Sequence, residues 1–230
     1  MRRMNFILDQ SLVLYLPLYE LDGASFASRD AYGHLCTVSG ATWGIQGRTF
    51  DGIDDKIVIP DNPVFSFGNG LTDVAFSLLA WIKLTDASVN RFILTKETTG
   101  LQEWSWQVLS DNTFRFCAID NSALVQATRT YTFSLFGQWV FLGGSYNGVG
   151  GATAANGITL YENGAVKTST ANNNASYVAM EDLTASVQIG ARGQADTWFK
   201  GSIGEVFVFN RSLSPLEFQN IYLATKWRYQ

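Results

Sequence analysis

Short apolar stretches recur roughly every ten residues along the chain, between glycine- and asparagine-rich segments, and this pattern predicts an all-β protein. Residues 49–60 predict two strands joined by a tight turn, and Asn163-Gly164 predicts a hairpin over 158–167. We predict further strands at 12–18, 91–95, 104–109, 113–119, 139–146, 187–190 and 202–209, with a strongly apolar one at 76–84. Strands spaced in this way, without long helical patterns, indicate a sandwich or a barrel.

The stretch from Ile203 to Phe209 is apolar on both faces, with Ile203, Phe207 and Phe209 on one side and Val206 and Val208 on the other. Such a strand is typical of a sheet that is covered on both sides.

A short helix is predicted after this strand. Ser214 is placed to cap it, Pro215 stands at its first position, and Glu217 can bond back to the cap. We expect Leu216, Ile221 and Leu223 to pack this helix against the sandwich. The cationic and aromatic end, 226–230, is either docked on the domain or forms a small contact patch.

Length, composition and charge limit the number of domains and the kinds of partner. The chain has 230 residues, 14% of them aromatic and 16% charged, which fits one large sandwich domain over residues 1–230. The net charge of −4 argues against a nucleic-acid partner. No segment approaches the ~20 apolar residues of a membrane span. Met1–Met4 resembles the start of a signal peptide, but polar residues interrupt the apolar stretch after it, so we expect no export signal.

The two cysteines, Cys36 and Cys117, both stand at predicted strand positions. Two buried free thiols are favoured over a single disulfide, although both alternatives are open.

Seven motifs in order resemble the laminin-G-like, concanavalin A-like jelly rolls. They are the opening strand at 11–18, Phe-Asp-Gly-Ile-Asp-Asp at 50–55, the tryptophan strand at 76–83, the stretch 139–148, Leu-Tyr-Glu-Asn-Gly at 160–164, the stretch 187–192 and the C-terminal run from 201. The resemblance implies an all-β fold of two stacked antiparallel sheets, about six or seven strands each, with a short C-terminal helix.

The resemblance also raises glycoside hydrolysis, because some relatives of this fold are glucanases. That chemistry needs a pair of carboxylates. Glu20 and Asp22 lack the third acid of the glucanase pattern and lie in a predicted loop, and Glu103 stands alone. His34, the single histidine, is expected to pack in a turn. We therefore expect no catalytic residues and no enzyme activity.

A structural calcium ion is the metal that the resemblance implies, since relatives hold one between the first loop and the closing strands. Asp30 and Glu205 are the candidate ligands, although Gly204 stands where relatives carry aspartate. Asp51, Asp54 and Asp55 are favoured as turn-forming residues.

Aromatic and loop residues are the candidates for glycan or partner contact. Trp104, Trp106 and Trp198 can stack on sugar rings, with a place in the core as the alternative. Tyr146, Asn147 and Asn173 belong to two low-complexity segments, 143–157 and 169–176, which are either functional surface or connectors.

Two functions are favoured, with a glycoside hydrolase as a distant third. The first is a non-enzymatic structural or interaction module on the surface of a virus or phage particle, such as a capsid decoration, minor capsid or fibre-type protein, with protein neighbours in an assembly. The second is a lectin-like glycan-binding module, calcium-assisted or not. The predicted location is the virion surface, with the extracellular space or cell surface as the alternative.

Overall fold

The computed structural model describes residues 6–193 and 197–230, so Met1–Met4 lies outside the described residues. Within these ranges the strands are β1 Leu12–Pro17, β2 Ser25–Ala27, β3 Leu35–Ser39, β4 Thr42–Gly44, β5 Gly47–Asp51, β6 Lys56–Ile59, β7 Phe76–Leu84, β8 Arg91–Thr98, β9 Leu101–Val108, β10 Thr113–Asp120, β11 Val125–Thr132, β12 Val140–Tyr146, β13 Ile158–Glu162, β14 Ala165–Val166, β15 Thr170–Asn172, β16 Val187–Ile189 and β17 Lys200–Phe209. A single α-helix among the described residues, α1, spans Pro215–Thr225. Short 3-10 helices lie at Phe6–Leu8, Pro63–Phe65, Gly151–Gly157 and Lys226–Arg228.

The described strands form two antiparallel sheets of eight and nine strands. The eight-stranded sheet runs β14-β13-β12-β7-β17-β5-β4, with β1 also paired to β17, and the nine-stranded sheet runs β15-β11-β10-β9-β8-β16-β6-β3-β2. The predicted two-sheet sandwich is confirmed, with more strands than the six or seven expected for each sheet.

The core lies between the two sheets. Phe76 of the eight-stranded sheet meets Phe116 and Trp104 of the other at ring-centroid distances of 5.4 and 6.1 Å. Both cysteines, Cys36 and Cys117, are free and buried. The favoured interpretation of the cysteines is therefore confirmed.

The outer face of the eight-stranded sheet carries a second apolar layer, covered by α1. Tyr161 stacks on Phe218 of the helix at 3.7 Å, and the Trp81 indole nitrogen donates to the Thr225 hydroxyl at 2.8 Å. A methyl group added at Gly143 would lie 2.3 Å from the Phe218 ring, so the helix packs where this strand has no side chain.

The capping box of α1 is confirmed, with Ser214 and Glu217 bonded reciprocally. Of the predicted packing residues, Ile221 is confirmed as buried, whereas Leu216 and Leu223 are exposed. The helix also buries Phe218 and Thr225.

The predicted faces of β17 are wrong for one residue. The pairing of β17 with β7 shifts between Ile203 and Val206. Because this irregularity changes the side-chain alternation, Ile203 joins Val206 in the inner core while Phe207 and Phe209 lie in the layer under α1.

The predicted asparagine-glycine hairpin is confirmed, with φ of 53° at Asn163 and 78° at Gly164. Strand β11 was not predicted from the sequence, because it is rich in threonine and directs only part of its side chains into the core. Among the described residues, none of the helices has the length and apolar character needed to cross a membrane.

Candidate functional site

The outer face of the nine-stranded sheet is polar, in contrast to the helix-covered face of the other sheet. Side chains alternate along β9 and β10, so the inward tryptophans Trp104 and Trp106 leave Ser105 and Gln107 pointing outward. We define the outer polar face by the outward polar residues of neighbouring strands together with Arg192 of the following loop. Its partly exposed members are Arg115, Gln126 and Arg192, and its buried members are Thr95, Glu97, Ser105, Gln107, Cys117, Thr128 and Gln188.

Glu97 and Arg192 form the charged pair of this face. Glu97 Oε1 lies 3.3 Å from Arg192 Nε, and the Glu97 side chain is only 3% exposed. Burial raises the pKa of the Glu97 carboxyl to about 7, while the positive charge of Arg192 acts in the opposite direction. This carboxyl therefore changes charge near neutral pH.

Two amide side chains, Gln107 and Gln188, belong to the outer polar face. With its amide oxygen turned toward Arg115, Gln107 accepts hydrogen bonds of 2.7 Å from Nη2 and 3.1 Å from Nε of that residue. The buried Oε1 atom of Gln188 accepts no hydrogen bond from the described part of the chain. An unpaired buried acceptor is costly in free energy.

Trp198 lies at the rim of the outer polar face. The ammonium group of Lys56 lies 5.5 Å from its ring centre, and its backbone oxygen accepts a 2.9 Å hydrogen bond from Arg91 Nη1. The side chain is half-buried. Of the three tryptophans proposed from the sequence, Trp198 is therefore the one beside a polar surface.

A depression of about 330 Å³ adjoins the same face at its β11–β15 edge. Hydroxyl groups dominate its lining, which comprises Thr113, Thr130, Tyr131, Thr132, Thr168, Ser169 and Thr170. The signal for this surface in the sequence is the alternating threonines of β11, which a prediction of strands from apolar residues passes over.

Three of the residues proposed for glycan or partner contact are wrong. Trp104, Trp106 and Tyr146 are fully buried between the sheets, and a sugar cannot reach them. The indole nitrogen of Trp104 donates to the Phe65 backbone oxygen at 2.9 Å, and the Tyr146 hydroxyl donates to Asp73 at 2.6 Å. Strand alternation alone cannot tell which face of a two-faced sheet looks into the core.

Asn147 and Asn173 belong to loops that meet at the β15 edge of the nine-stranded sheet. The Asn147 side chain accepts from the Val149 backbone at 3.0 Å, and Asn173 bonds the backbone of Ala155 at 2.8 Å. The Asn173 bond joins the two low-complexity segments, whereas the Asn147 bond lies within one of them, and both residues remain exposed.

The calcium candidates Asp30 and Glu205 contact opposite ends of Tyr15. Asp30 accepts from the Tyr15 amide at 2.9 Å, and Glu205 accepts from the Tyr15 hydroxyl at 2.9 Å. The second oxygen of Asp30 accepts from the amides of Tyr32 and Gly33. This donor set does not fit a calcium ion held between the two carboxylates, and calcium binding stays a prediction.

The three aspartates Asp51, Asp54 and Asp55 have ligand atoms within 4.8 Å of one another. Asp51 accepts from the Ile53 amide, and Asp55 accepts from the Asp51 amide, each at 2.8 Å. The favoured turn-forming role is therefore borne out for Asp51 and Asp55.

The acids considered for hydrolysis are not brought together. Glu103 is fully buried and accepts from the Lys96 ammonium at 2.5 Å, while Glu20 and Asp22 lie in an exposed loop. His34 packs against Phe65 with ring centres 4.6 Å apart, as expected of a turn residue.

Some of the C-terminal residues pack on the domain, and others face solvent. Tyr229 is buried and stacks on Trp81 at 4.5 Å, whereas Trp227 is 68% exposed. Between them the Arg228 guanidinium lies over the rings of Tyr19, at 3.3 Å, and Trp227, at 4.4 Å.

A profile of the concanavalin A-like lectin/glucanases superfamily, of the laminin-G type, matches residues 51–219. The chain belongs to this superfamily. The resemblance drawn from the seven motifs is thereby confirmed. No curated protein matches the chain.

Solved structures similar to this lectin-like domain include receptor-binding domains of botulinum neurotoxins. The serotype D domain has a TM-score of 0.69 at 16% identity, covering 93% of this chain and 52% of that chain. The serotype D ligand-binding domain in complex with N-acetylneuraminic acid has a TM-score of 0.69 at 14% identity, covering 94% and 51%. The serotype G binding domain has a TM-score of 0.71 at 14% identity, again covering 94% and 51%. The chain therefore spans about half the length of these neighbours, and the likeness shows the fold alone.

Proposed function

We propose that this domain is a non-enzymatic recognition module that binds glycans on the outer polar face. The observation that carries the proposal is the placement of the half-buried Trp198 beside a polar sheet face. The partly exposed groups of this face are Arg115, Gln126 and Arg192, and the amides and hydroxyls beneath them are buried. Sugar hydroxyls donate and accept, and amide and hydroxyl side chains match both roles. An aromatic ring at the rim offers an apolar surface for the C–H face of a sugar ring.

The non-enzymatic part rests on the acids of the same face. Glu97 is its single carboxylate among the residues that define it, and glycoside hydrolysis needs a second one at ~5–9.5 Å. Structural neighbours that are receptor-binding domains, one of them in complex with N-acetylneuraminic acid, support recognition rather than turnover.

A glycan array probed with the wild type and with Trp198→Ala tests this proposal. We expect the variant to lose binding at least tenfold while its melting temperature stays unchanged. The matched control is Trp227→Ala, which removes an exposed tryptophan away from the outer polar face and should bind as the wild type does. Equal binding by the Trp198 variant and the wild type would contradict the proposal.

We also propose that the module is used in an assembly, on the surface of a virus or phage particle or, alternatively, in the extracellular space or at a cell surface. The exposed Trp227 beside the stacked Arg228 favours protein neighbours, because tryptophan and arginine are enriched at interface centres. Mass spectrometry of the purified source particle tests this: a stoichiometric amount of the protein supports it, and absence from every particle fraction contradicts it.

A further inference from the structure

The C-terminal aromatic patch comprises Tyr19, Trp43, Ile45, Trp227 and Arg228. Two hydrogen bonds hold it together. Trp43 Nε1 donates to the Tyr19 backbone oxygen at 3.0 Å, and the Gln46 side chain, next to Ile45, donates to the Arg228 backbone oxygen at 2.7 Å. One surface therefore unites the β4–β5 hairpin, the loop after β1 and the C-terminal turn.

Large apolar side chains of this patch face solvent. Ile45 is 82% exposed, Trp227 is 68% exposed and Trp43 is 44% exposed. Isolated exposed apolar residues need no explanation, but a contiguous group of them around a charged residue is typical of an interaction site.

The Arg228 guanidinium contacts two aromatic rings, 3.3 Å from the ring centre of Tyr19 and 4.4 Å from that of Trp227, and these contacts restrict its movement. Among the described residues Arg228 forms no ion pair within 4.0 Å and its side chain donates no hydrogen bond, although its charge acts to lower the pKa of the buried Glu205 carboxyl. A guanidinium restricted in this way loses less conformational entropy when it binds a ligand. Two of its parallel N–H groups can donate to the two oxygens of one carboxylate.

We propose that the C-terminal aromatic patch docks a segment of a partner protein that presents a carboxylate flanked by apolar side chains. The carboxylate pairs with the Arg228 fork, and the flanking apolar groups cover Trp227, Trp43 and Ile45. Lys226, two positions before Arg228 in the chain, holds its ammonium 5.6 Å from the Tyr222 ring centre, outside the patch.

This proposal specifies the chemistry of the protein neighbour in the assembly proposal and does not depend on glycan binding. It also rests on a part of the molecule separate from Trp198. The glycan-binding proposal and the docking proposal can therefore fail independently. Loss of glycan binding in Trp198→Ala does not test peptide docking, and a variant of the C-terminal aromatic patch should leave glycan binding on the array unchanged.

The test uses the full chain and two pools of capped pentapeptides. In one pool the central residue is Asp or Glu between random apolar residues, and in the other it is Asn or Gln in the same settings. Binding is followed by tryptophan fluorescence and ranked by mass spectrometry of the retained peptides. We expect the acidic pool to be retained at least tenfold over the amide pool.

Variants then assign the effect to the patch. Arg228→Gln should remove the preference for the acidic pool, and Arg228→Lys should reduce it at least fivefold because the charge remains while the planar fork is lost. Leu71→Ala, at another exposed apolar position, is the matched control and should bind as the wild type does. Melting temperatures confirm that each variant is folded.

Three outcomes overturn the proposal: equal retention of the two pools, an Arg228→Lys variant that binds as well as the wild type, or the same loss in Leu71→Ala. Sedimentation of the free chain adds a fourth. Self-association that Trp227→Ala abolishes, without selective retention of acidic peptides, would identify a second copy as the occupant instead.

Discussion

The Lys56 ammonium lies 5.5 Å from the ring centre of Trp198, although 142 positions separate the two residues in the chain. Lys56 lies on β6, and Trp198 precedes β17, the strand that belongs to the other sheet. The contact therefore forms where the chain crosses from one sheet to the other. It places a half-buried indole at the rim of the outer polar face, and the first prediction concerns this contact.

Replacing Lys56 with Met should leave glycan binding intact or strengthen it up to about threefold. The ammonium covers part of the indole, and its removal frees that ring surface for a sugar at the cost of a cation–π contact of about 0.5–1 kcal/mol. Titration calorimetry with the best array glycan measures the change. Loss of binding in this variant, with an unchanged melting temperature, would show that the ligand contacts the ammonium and not the ring.

Replacing Trp104 with Ala should lower the free energy of unfolding by about 3–5 kcal/mol, because a fully buried indole leaves a cavity. Urea denaturation measures the loss. The milder Trp104→Phe variant should remain folded and bind glycans as the wild type does. A folded Trp104→Phe protein without glycan binding would mean that the buried position acts on the ligand surface after all.

Replacing Glu205 with Gln should alter how stability depends on pH. Burial raises the pKa of the Glu205 carboxyl from 4.5 to about 7 in the folded protein. Between these values the folded state binds more protons than the unfolded state, so the Glu205 contribution to stability falls as the pH rises. The amide that replaces the carboxyl stays neutral at every pH in this range, and its oxygen can still accept from the Tyr15 hydroxyl.

The unfolding free energy of Glu205→Gln relative to the wild type should therefore rise by on the order of 1–3 kcal/mol between pH 4.5 and pH 8. Urea titrations at several pH values measure this difference. Glu97 and Glu103, whose pKa values are also raised to about 7, are present in both proteins and cancel. A difference that is constant across this range would contradict the assigned cause.

Calcium should leave the melting temperature unchanged within about 1 °C between excess EDTA and millimolar calcium. The reason is that Asp30 already accepts three backbone amides and Glu205 accepts a tyrosine hydroxyl. Asp30→Asn should destabilise the protein equally in both conditions, by about 1–3 kcal/mol for the weakened charged hydrogen bonds. A calcium-dependent rise that Asp30→Asn abolishes would instead support the metal site.

Much of the fold could be predicted because its signals are local. The hairpin at Asn163-Gly164 follows from two residues that adopt positive φ, and the start of α1 follows from a capping box of neighbouring residues. Strand β11 could not be predicted in this way, because its outward threonines replace the apolar residues on which the pattern depends.

The candidate site was only partly predictable. Trp104, Trp106 and Trp198 look equivalent in the sequence, and burial alone separates the first two from the third. Glu97 and Arg192 carried no signal, because they come from a strand and a loop that are remote in the chain and meet only in the folded sheet.

The sequence by itself determined the two-sheet fold, the hairpin and the capped helix, since short-range alternation, turn chemistry and capping act between residues close in the chain. The tertiary structure decided which face of each sheet is covered. Packing of α1 over Trp81 and Tyr161 closes one outer face, and the stacking of the two sheets hides Trp104 and Trp106. These are long-range choices, made by where apolar area can be buried, and they leave the outer polar face with Trp198 at its rim.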